Sequence, residues 1–227
     1  MSESLTLPEA LALLLLDPGG RLLATGQAFD AGLAGAALGD LALRGQVSLE
    51  RKRVVVAKAP PTGNPAIDGF VHFLEAAPSP RRPTSWVSRL GNRGLRDAVL
   101  GGLVHRGVLA REERRVLGIF PSVRWPERDG GPEKALRAEL WAVLQGQAAP
   151  TPFTTALIGL LQATRSLRTQ FGPQDRARVR WITQGDWIAE AVRFVIRQAE
   201  SSVGSIDGVD GGGGAGGGGG GGDGGSS

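Results

Sequence analysis

Residues 5–20 read LTLPEALALLLLDPGG, and this stretch decides that the fold is built from helices. Thr6 is placed to cap a helix, Glu9 to reach back as the other half of a capping box, and Pro8 is tolerated in a first turn. Asp17-Pro18-Gly19-Gly20 must end that helix, since a proline and two glycines cannot continue it. The apolar run Leu11 to Leu16 is far shorter than the roughly 20 residues a membrane span requires. It has no basic segment before it and no small-residue cleavage site after it, so we expect neither a signal peptide nor a transmembrane helix. Any membrane contact is then expected to be peripheral.

Outward from this segment the spacing is mostly helical. A short extended piece, Arg21 to Ala24, leads to a helix over Ala31 to Leu43 that stops at Gly45. Its Gly32, Gly35 and Gly39 predict close backbone packing against another helix. Two β-like runs, Gln46 to Leu49 and Val54 to Ala57, flank the charged turn Glu50-Arg51-Lys52-Arg53 and read as a hairpin. A loop, Pro60 to Pro65, opens an amphipathic helix over Ala66 to Ala76. Trp86 to Leu90 and Asn92 to Arg106 read as helices. Val108 to Phe120 is expected as a hairpin with Arg111 to Arg115 in its turn, and Phe120 to Pro126 as an exposed loop or second hairpin. Helical spacing returns at Glu133 to Gln145, Phe153 to Leu167, Gln174 to Ile182 and Asp186 to Glu200. The spacing reads as mostly α with short β-hairpins, and the length suits one or one-and-a-half typical domains. A disordered Gly-rich tail is expected over 202–227.

The composition is that of an ordinary globular protein, with 41% hydrophobic residues. Formal charge is +4, although the tail adds only acids, Asp207, Asp210 and Asp223. Lys52, Lys58 and Lys134 are the only lysines, so the positive charge is carried by arginine. Such a bias can reflect base composition alone, but a surface guanidinium is also a good phosphate ligand because its planar fork donates two parallel hydrogen bonds. The balance points to a polyanionic partner, nucleic acid or lipid head groups, without choosing between them. The absence of cysteine excludes disulfides, thiol nucleophiles and Cys-ligated metals and fits a reducing, cytoplasmic location.

Catalytic patterns are not found. His72 and His105 each stand alone within a helix, without a second ligand at metal spacing. No nucleophile elbow, Walker loop or dinucleotide fingerprint precedes a helix, and the glycines of 211–222 lead into none. We therefore expect no enzyme, no cofactor and no metal. The positive signal is Arg93 and Arg96, three apart at a helix start, with Arg89 and the pair Arg81 and Arg82 upstream. Spacing puts Arg93 and Arg96 on one helix face, where unpaired N–H groups and the positive dipole end favour phosphate. Two alternatives share these residues. One is a winged-helix-like nucleic-acid binder, although Leu95, Val99, Leu100, Leu103 and Val104 are core-like and Gly94, Gly101 and Gly102 offer no side chains to read bases. The other is a protein-interaction scaffold gripping an acidic partner.

Several segments occurring in order resemble the Golgi phosphoprotein 3 family of peripheral membrane proteins. They are Leu5-Thr6-Leu7-Pro8-Glu9; Gly32-Leu33-Ala34-Gly35 through Leu41-Ala42-Leu43-Arg44-Gly45; Pro61-Thr62-Gly63 with Asp68; and Arg93 through Leu103-Val104-His105-Arg106-Gly107-Val108-Leu109. The resemblance implies a mostly α fold, a single compact helical domain with short β-hairpins over residues 4–201. It also implies a non-catalytic adaptor on the cytoplasmic face of a membrane, with a pocket for phosphatidylinositol 4-phosphate. It places Arg93 and Arg96 at the family's two phosphate-binding arginines, whereas Thr25 and Ala34 stand where the family has a Trp and a further Arg. It also implies a hairpin used in membrane contact and self-association. Phe120, Val123, Arg124 and Trp125 fall there, and an aromatic beside an arginine suits the head-group layer. The implied partners are an anionic phospholipid or phosphoinositide surface, a protein cargo and a second copy of the chain, with no nucleic acid.

Overall fold

A computed structural model describes residues 5–57, 60–116 and 120–204; the side chains of 114–116, 120–122, 195 and 198–204 lie outside that description. Helix α1 (Leu7–Leu14) begins at the expected capping box: Thr6 N–H donates to Glu9 Oε2 at 2.8 Å and Thr6 Oγ1 accepts from Glu9 N–H. Every residue of α1 is buried, as a helix apolar on all sides requires. The extended piece after it pairs back through a bridge between Leu16 and Leu22.

Helix α2 (Gly26–Leu43) starts five residues earlier than its apolar spacing suggests, because Thr25 Oγ1 caps it by accepting from Ala28 N–H at 3.2 Å. Its small residues do what their spacing predicts. A Cβ on Gly35 would overlap Val192 Cγ2, and one on Gly39 would stand 3.0 Å from Leu7 Cδ1. Helices α1 and α2 thus pack closely together, and α2 against the helix that carries Val192, as the core's central layer.

Strands β1 (Val47–Glu50) and β2 (Arg53–Val56) pair antiparallel around a two-residue turn. Arg51 and Lys52 both take positive φ, 46° and 63°, the turn whose twist suits a two-residue hairpin. Then follow α3 (Pro65–Glu75), α4 (Pro83–Leu90) and α5 (Arg93–His105). The second hairpin differs from expectation. The charged run is not its turn: Glu112 opens strand β3 (Glu112–Val116), which pairs with β4 (Phe120–Arg124) from Glu112↔Arg124 to Val116↔Phe120. The run holds charge but none of the Gly, Asn, Asp or Pro that turn geometry favours, so it lies along a strand instead. Phe120 to Arg124 is accordingly the partner strand, and neither a loop nor a second hairpin.

The remaining helices are α6 (Gly131–Leu144), α7 (Pro152–Ala163), α8 (Leu167–Phe171), α9 (Arg176–Ile182) and α10 (Trp187–Gly204). The expected single helix over Phe153 to Leu167 is broken at Arg165, whose φ is 60°. Helix α10 runs past the expected start of the tail at 202, and residues 205–227 lie outside the described residues. One buried cluster, from Leu7 to Ile196, joins all these helices. The result is a compact helical fold with two short hairpins.

Candidate functional site

Arg93 opens α5 behind Asn92, whose Oδ1 accepts from Leu95 N–H at 3.2 Å. Asn92 Nδ2 also donates to the Arg89 carbonyl, tying the end of α4 to the start of α5. At this corner the two spaced arginines occupy different environments. Arg93 is 80% exposed, and its nearest carboxylate, Asp97 Oδ2, is 3.6 Å away on the surface, a contact that contributes little. Arg96 turns inward. Its Nε and Nη2 each donate to Asp30 at 2.7 Å, Nη2 donates also to the Gly26 carbonyl at 3.1 Å, and the guanidinium lies 5.6 Å from the Phe29 ring centre. Three of its five N–H groups are thereby committed, and the two on Nη1 have no partner among the described residues.

The contact with Gly26 brings the start of α2 to the start of α5. Two helix ends, each carrying partial positive charge, meet around a guanidinium that is already aimed. Thr25 is present here as the α2 cap. Ala34 is fully buried and offers only a methyl group, so neither position supplies an aromatic or cationic group to the corner.

The other predicted arginines divide between the two ends of α4. Arg89 is exposed at its C-terminal end, beside Arg93. Arg81 and Arg82 precede its N-terminus, about 12 Å away for eight helical residues. The Arg81 carbonyl accepts from Val54 N–H, and its Nε is buried without a hydrogen-bond partner. Arg82 lines a groove against α10 with Lys52, Arg193 and Arg197. Arg81 and Arg82 therefore do not join Arg93 and Arg96.

In the second hairpin, Trp125 is not presented at the surface. It is 9% exposed, and the Arg111 guanidinium sits 5.9 Å from its ring centre. The cause is Gly20, at φ 75°, where a Cβ would overlap the Trp125 main chain. The missing side chain lets the loop after α1 close on the strand end, and Trp125 N–H donates to the Gly20 carbonyl at 3.4 Å. Val123 and Arg124 are half-buried, and the Phe120 side chain lies outside the described ones. Among the described residues Leu23 is an exposed apolar side chain, at 41%. It stands three residues before Gly26, within about 11 Å along the chain. Sequence reading missed it because a lone leucine in a short extended piece carries no pattern.

Among the described residues no helix is long and apolar enough to cross a membrane, and no group of His, Asp or Glu could hold a metal ion. His72 and His105 are both exposed on their helices. The family model described as Golgi phosphoprotein 3 (GPP34) matches residues 7–199 of the chain. A search of the curated proteins finds no match.

Proposed function

Given that the chain belongs to the Golgi phosphoprotein 3 family, we propose that it is a peripheral membrane adaptor that docks on anionic lipid head groups through the α4–α5 corner. The observation that carries this reading is the pairing of an exposed arginine with an aimed one. Arg93 offers an exposed, weakly paired charge at a helix start, and Arg96, one turn on, is held by Asp30 with its Nη1 edge unused. A lipid phosphate would take charge-assisted hydrogen bonds from both.

Arg89 adds charge, and the exposed Leu23, three residues before Gly26, supplies a shallow apolar contact. Each cation near an anionic surface contributes about 1 kcal/mol, so Arg89 and Arg93 together support weak, reversible docking. Asp30 offsets most of what Arg96 would otherwise add. Thr25 and Ala34 bring no aromatic or cationic group, so the head-group class is favoured over one phosphoinositide. Such docking places the protein on the cytoplasmic face of a membrane, where an adaptor meets its cargo.

Co-sedimentation with vesicles of phosphatidylcholine, of phosphatidylcholine with phosphatidylglycerol, and of phosphatidylcholine with phosphatidylinositol 4-phosphate tests the proposal. Binding is expected to both anionic preparations and to be lost in the Arg93→Ala/Arg96→Ala variant. Equal binding to all three, or undiminished binding by that variant, would sink it.

A further inference from the structure

Five arginines converge on one cleft on another part of the molecule. Arg165 lies at the α7–α8 junction, Arg168 on α8, Arg176 and Arg180 on α9, and Arg193 on α10, around a volume of about 780 Å³. Glu190 is the one acid in the lining, and the other polar groups there are glutamines and Thr183. No two of these arginines except Arg176 and Arg180 share a helix, so their convergence is a product of the tertiary fold.

Four of the five have no close carboxylate among the described residues. Elsewhere in this protein Arg96 is matched with Asp30, Arg137 with Glu133, and Arg178 with the Val143 carbonyl. Arg168, Arg176, Arg180 and Arg193 have no carboxylate within 4.0 Å among the described residues. Like charges gathered in a concave surface repel one another, and low-dielectric walls focus their field into the cleft. Arg193 also lines the neighbouring groove with Lys52, Arg82 and Arg197, which extends the positive potential along α10.

The geometry points to a binding site for a compact ligand carrying two or more linked phosphate groups. The volume falls within the usual range for small-molecule sites, about 300–1,000 Å³. Arg176 and Arg180 are one helical turn apart, about 6 Å between their Cβ atoms, so two forks can grip adjacent phosphates from one wall while Arg168 and Arg193 close from others. Leu167 and Val179 give the cleft an apolar floor for the organic part. A single phosphate would satisfy too few of these donors, and a flat anionic surface could not enter. The ligand's source is either a free phosphorylated small molecule or the head group of a polyphosphorylated lipid.

Isothermal titration of the full chain with phosphate, pyrophosphate and tripolyphosphate tests this. Affinity is expected to rise in that order and to fall about tenfold or more in Arg176→Gln/Arg180→Gln, with unchanged circular dichroism because both side chains are exposed. Arg93→Ala is expected to bind tripolyphosphate like the unaltered chain. The source follows from vesicles bearing phosphatidylinositol 4,5-bisphosphate. Sedimentation lost in the Arg176→Gln/Arg180→Gln variant assigns a lipid head group, and sedimentation kept alongside lost tripolyphosphate affinity assigns a free ligand. No heat with any of the three anions, equal affinity in variant and unaltered chain, or loss on Arg93→Ala would overturn the inference. The last result would place the anion at the α4–α5 corner, so the two proposals fail separately.

Discussion

Arg96 and Asp30 meet through two hydrogen bonds of 2.7 Å each, from Nε to Oδ1 and from Nη2 to Oδ2. The pair fixes the guanidinium plane and at the same time cancels most of its charge toward a distant anion. Replacing Asp30 by Asn therefore separates orientation from charge. Removing one negative charge at the corner should strengthen binding to phosphatidylglycerol vesicles by about 1 kcal/mol, roughly fivefold. Loss of the charge-assisted pair should lower stability by about 1–3 kcal/mol. Vesicle titration and urea unfolding of Asp30→Asn measure the two effects, which should have opposite signs.

The same contrast predicts a split between the two spaced arginines. Arg93 is exposed and weakly paired, so Arg93→Ala should change stability by less than about 0.5 kcal/mol while weakening vesicle binding about fivefold. Arg96→Ala leaves the Asp30 carboxylate and the Gly26 carbonyl without their donor and uncovers Phe29. It should cost about 2–3 kcal/mol of stability. Thermal melts beside co-sedimentation distinguish a binding residue from one that also holds α2 to α5.

Local signals were legible and tertiary ones were not. The capping box of Thr6 and Glu9, the Pro-Gly stop and the glycines of α2 lie within a few residues of the structure they specify. Asp30 is 66 positions from Arg96, and no local spacing announces that pairing. Trp125 looks interfacial until Gly20 is placed against it from the other side of the chain. The start of α2 was missed because Gly26, Gln27 and Asp30 interrupt its apolar pattern, although Thr25 is a good cap. The cleft arginines are spread over four elements, so sequence showed only an arginine-rich composition. The family resemblance carried what spacing could not, the membership of the fold as a whole.

Glu9 shows that a capping residue can also be a core residue. It is 2% exposed, and its Oε2 accepts from Thr6 N–H, Thr6 Oγ1 and Arg106 Nη1 at 2.8 to 2.9 Å, while Oε1 accepts from Asn64 Nδ2 at 3.3 Å. Four donors from three segments converge on one carboxylate. Glu9→Ala should destabilise by about 3–5 kcal/mol, because it removes the buried carboxylate that Arg106 pairs with as well as the cap. At roughly 2–4 °C per kcal/mol for a chain of this size, the melting point should drop by about 6–20 °C. Arg106→Met should cost less, since the other three donors remain on the carboxylate.

Asp186 and Gly159 form a matched pair. Asp186 Oδ1 caps α10 by accepting from Ile188 N–H and Ala189 N–H at 3.0 Å each. Its Oδ2 is buried without a hydrogen-bond partner, over the place where a Cβ on residue 159 would overlap it. Gly159→Ala should therefore cost about 1–3 kcal/mol through overpacking. In an Asp186→Ser background the shorter cap leaves room, and the alanine should cost at least about 1 kcal/mol less. A double-mutant cycle by urea unfolding measures that coupling.

The same carboxyl makes stability depend on pH in a defined direction. Burial raises the Asp186 pKa above its ordinary 3.8; the Ala189 and Ile188 N–H groups and Arg193 pull it down, and Glu190 adds to the rise. The folded state thus holds this proton more tightly than the unfolded chain does. The stability it contributes is fully present below 3.8 and is lost as pH climbs through the raised folded value. Asn caps a helix about as well as Asp but does not titrate. The stability of Asp186→Asn relative to the unaltered chain should accordingly increase as pH rises from below 3.8, then level off. Urea unfolding of both proteins across that range measures the difference, in which carboxylates common to both cancel. A difference that stays flat with pH would show that Asp186 titrates alike in the folded and unfolded states, and that its buried Oδ2 finds a partner in solution.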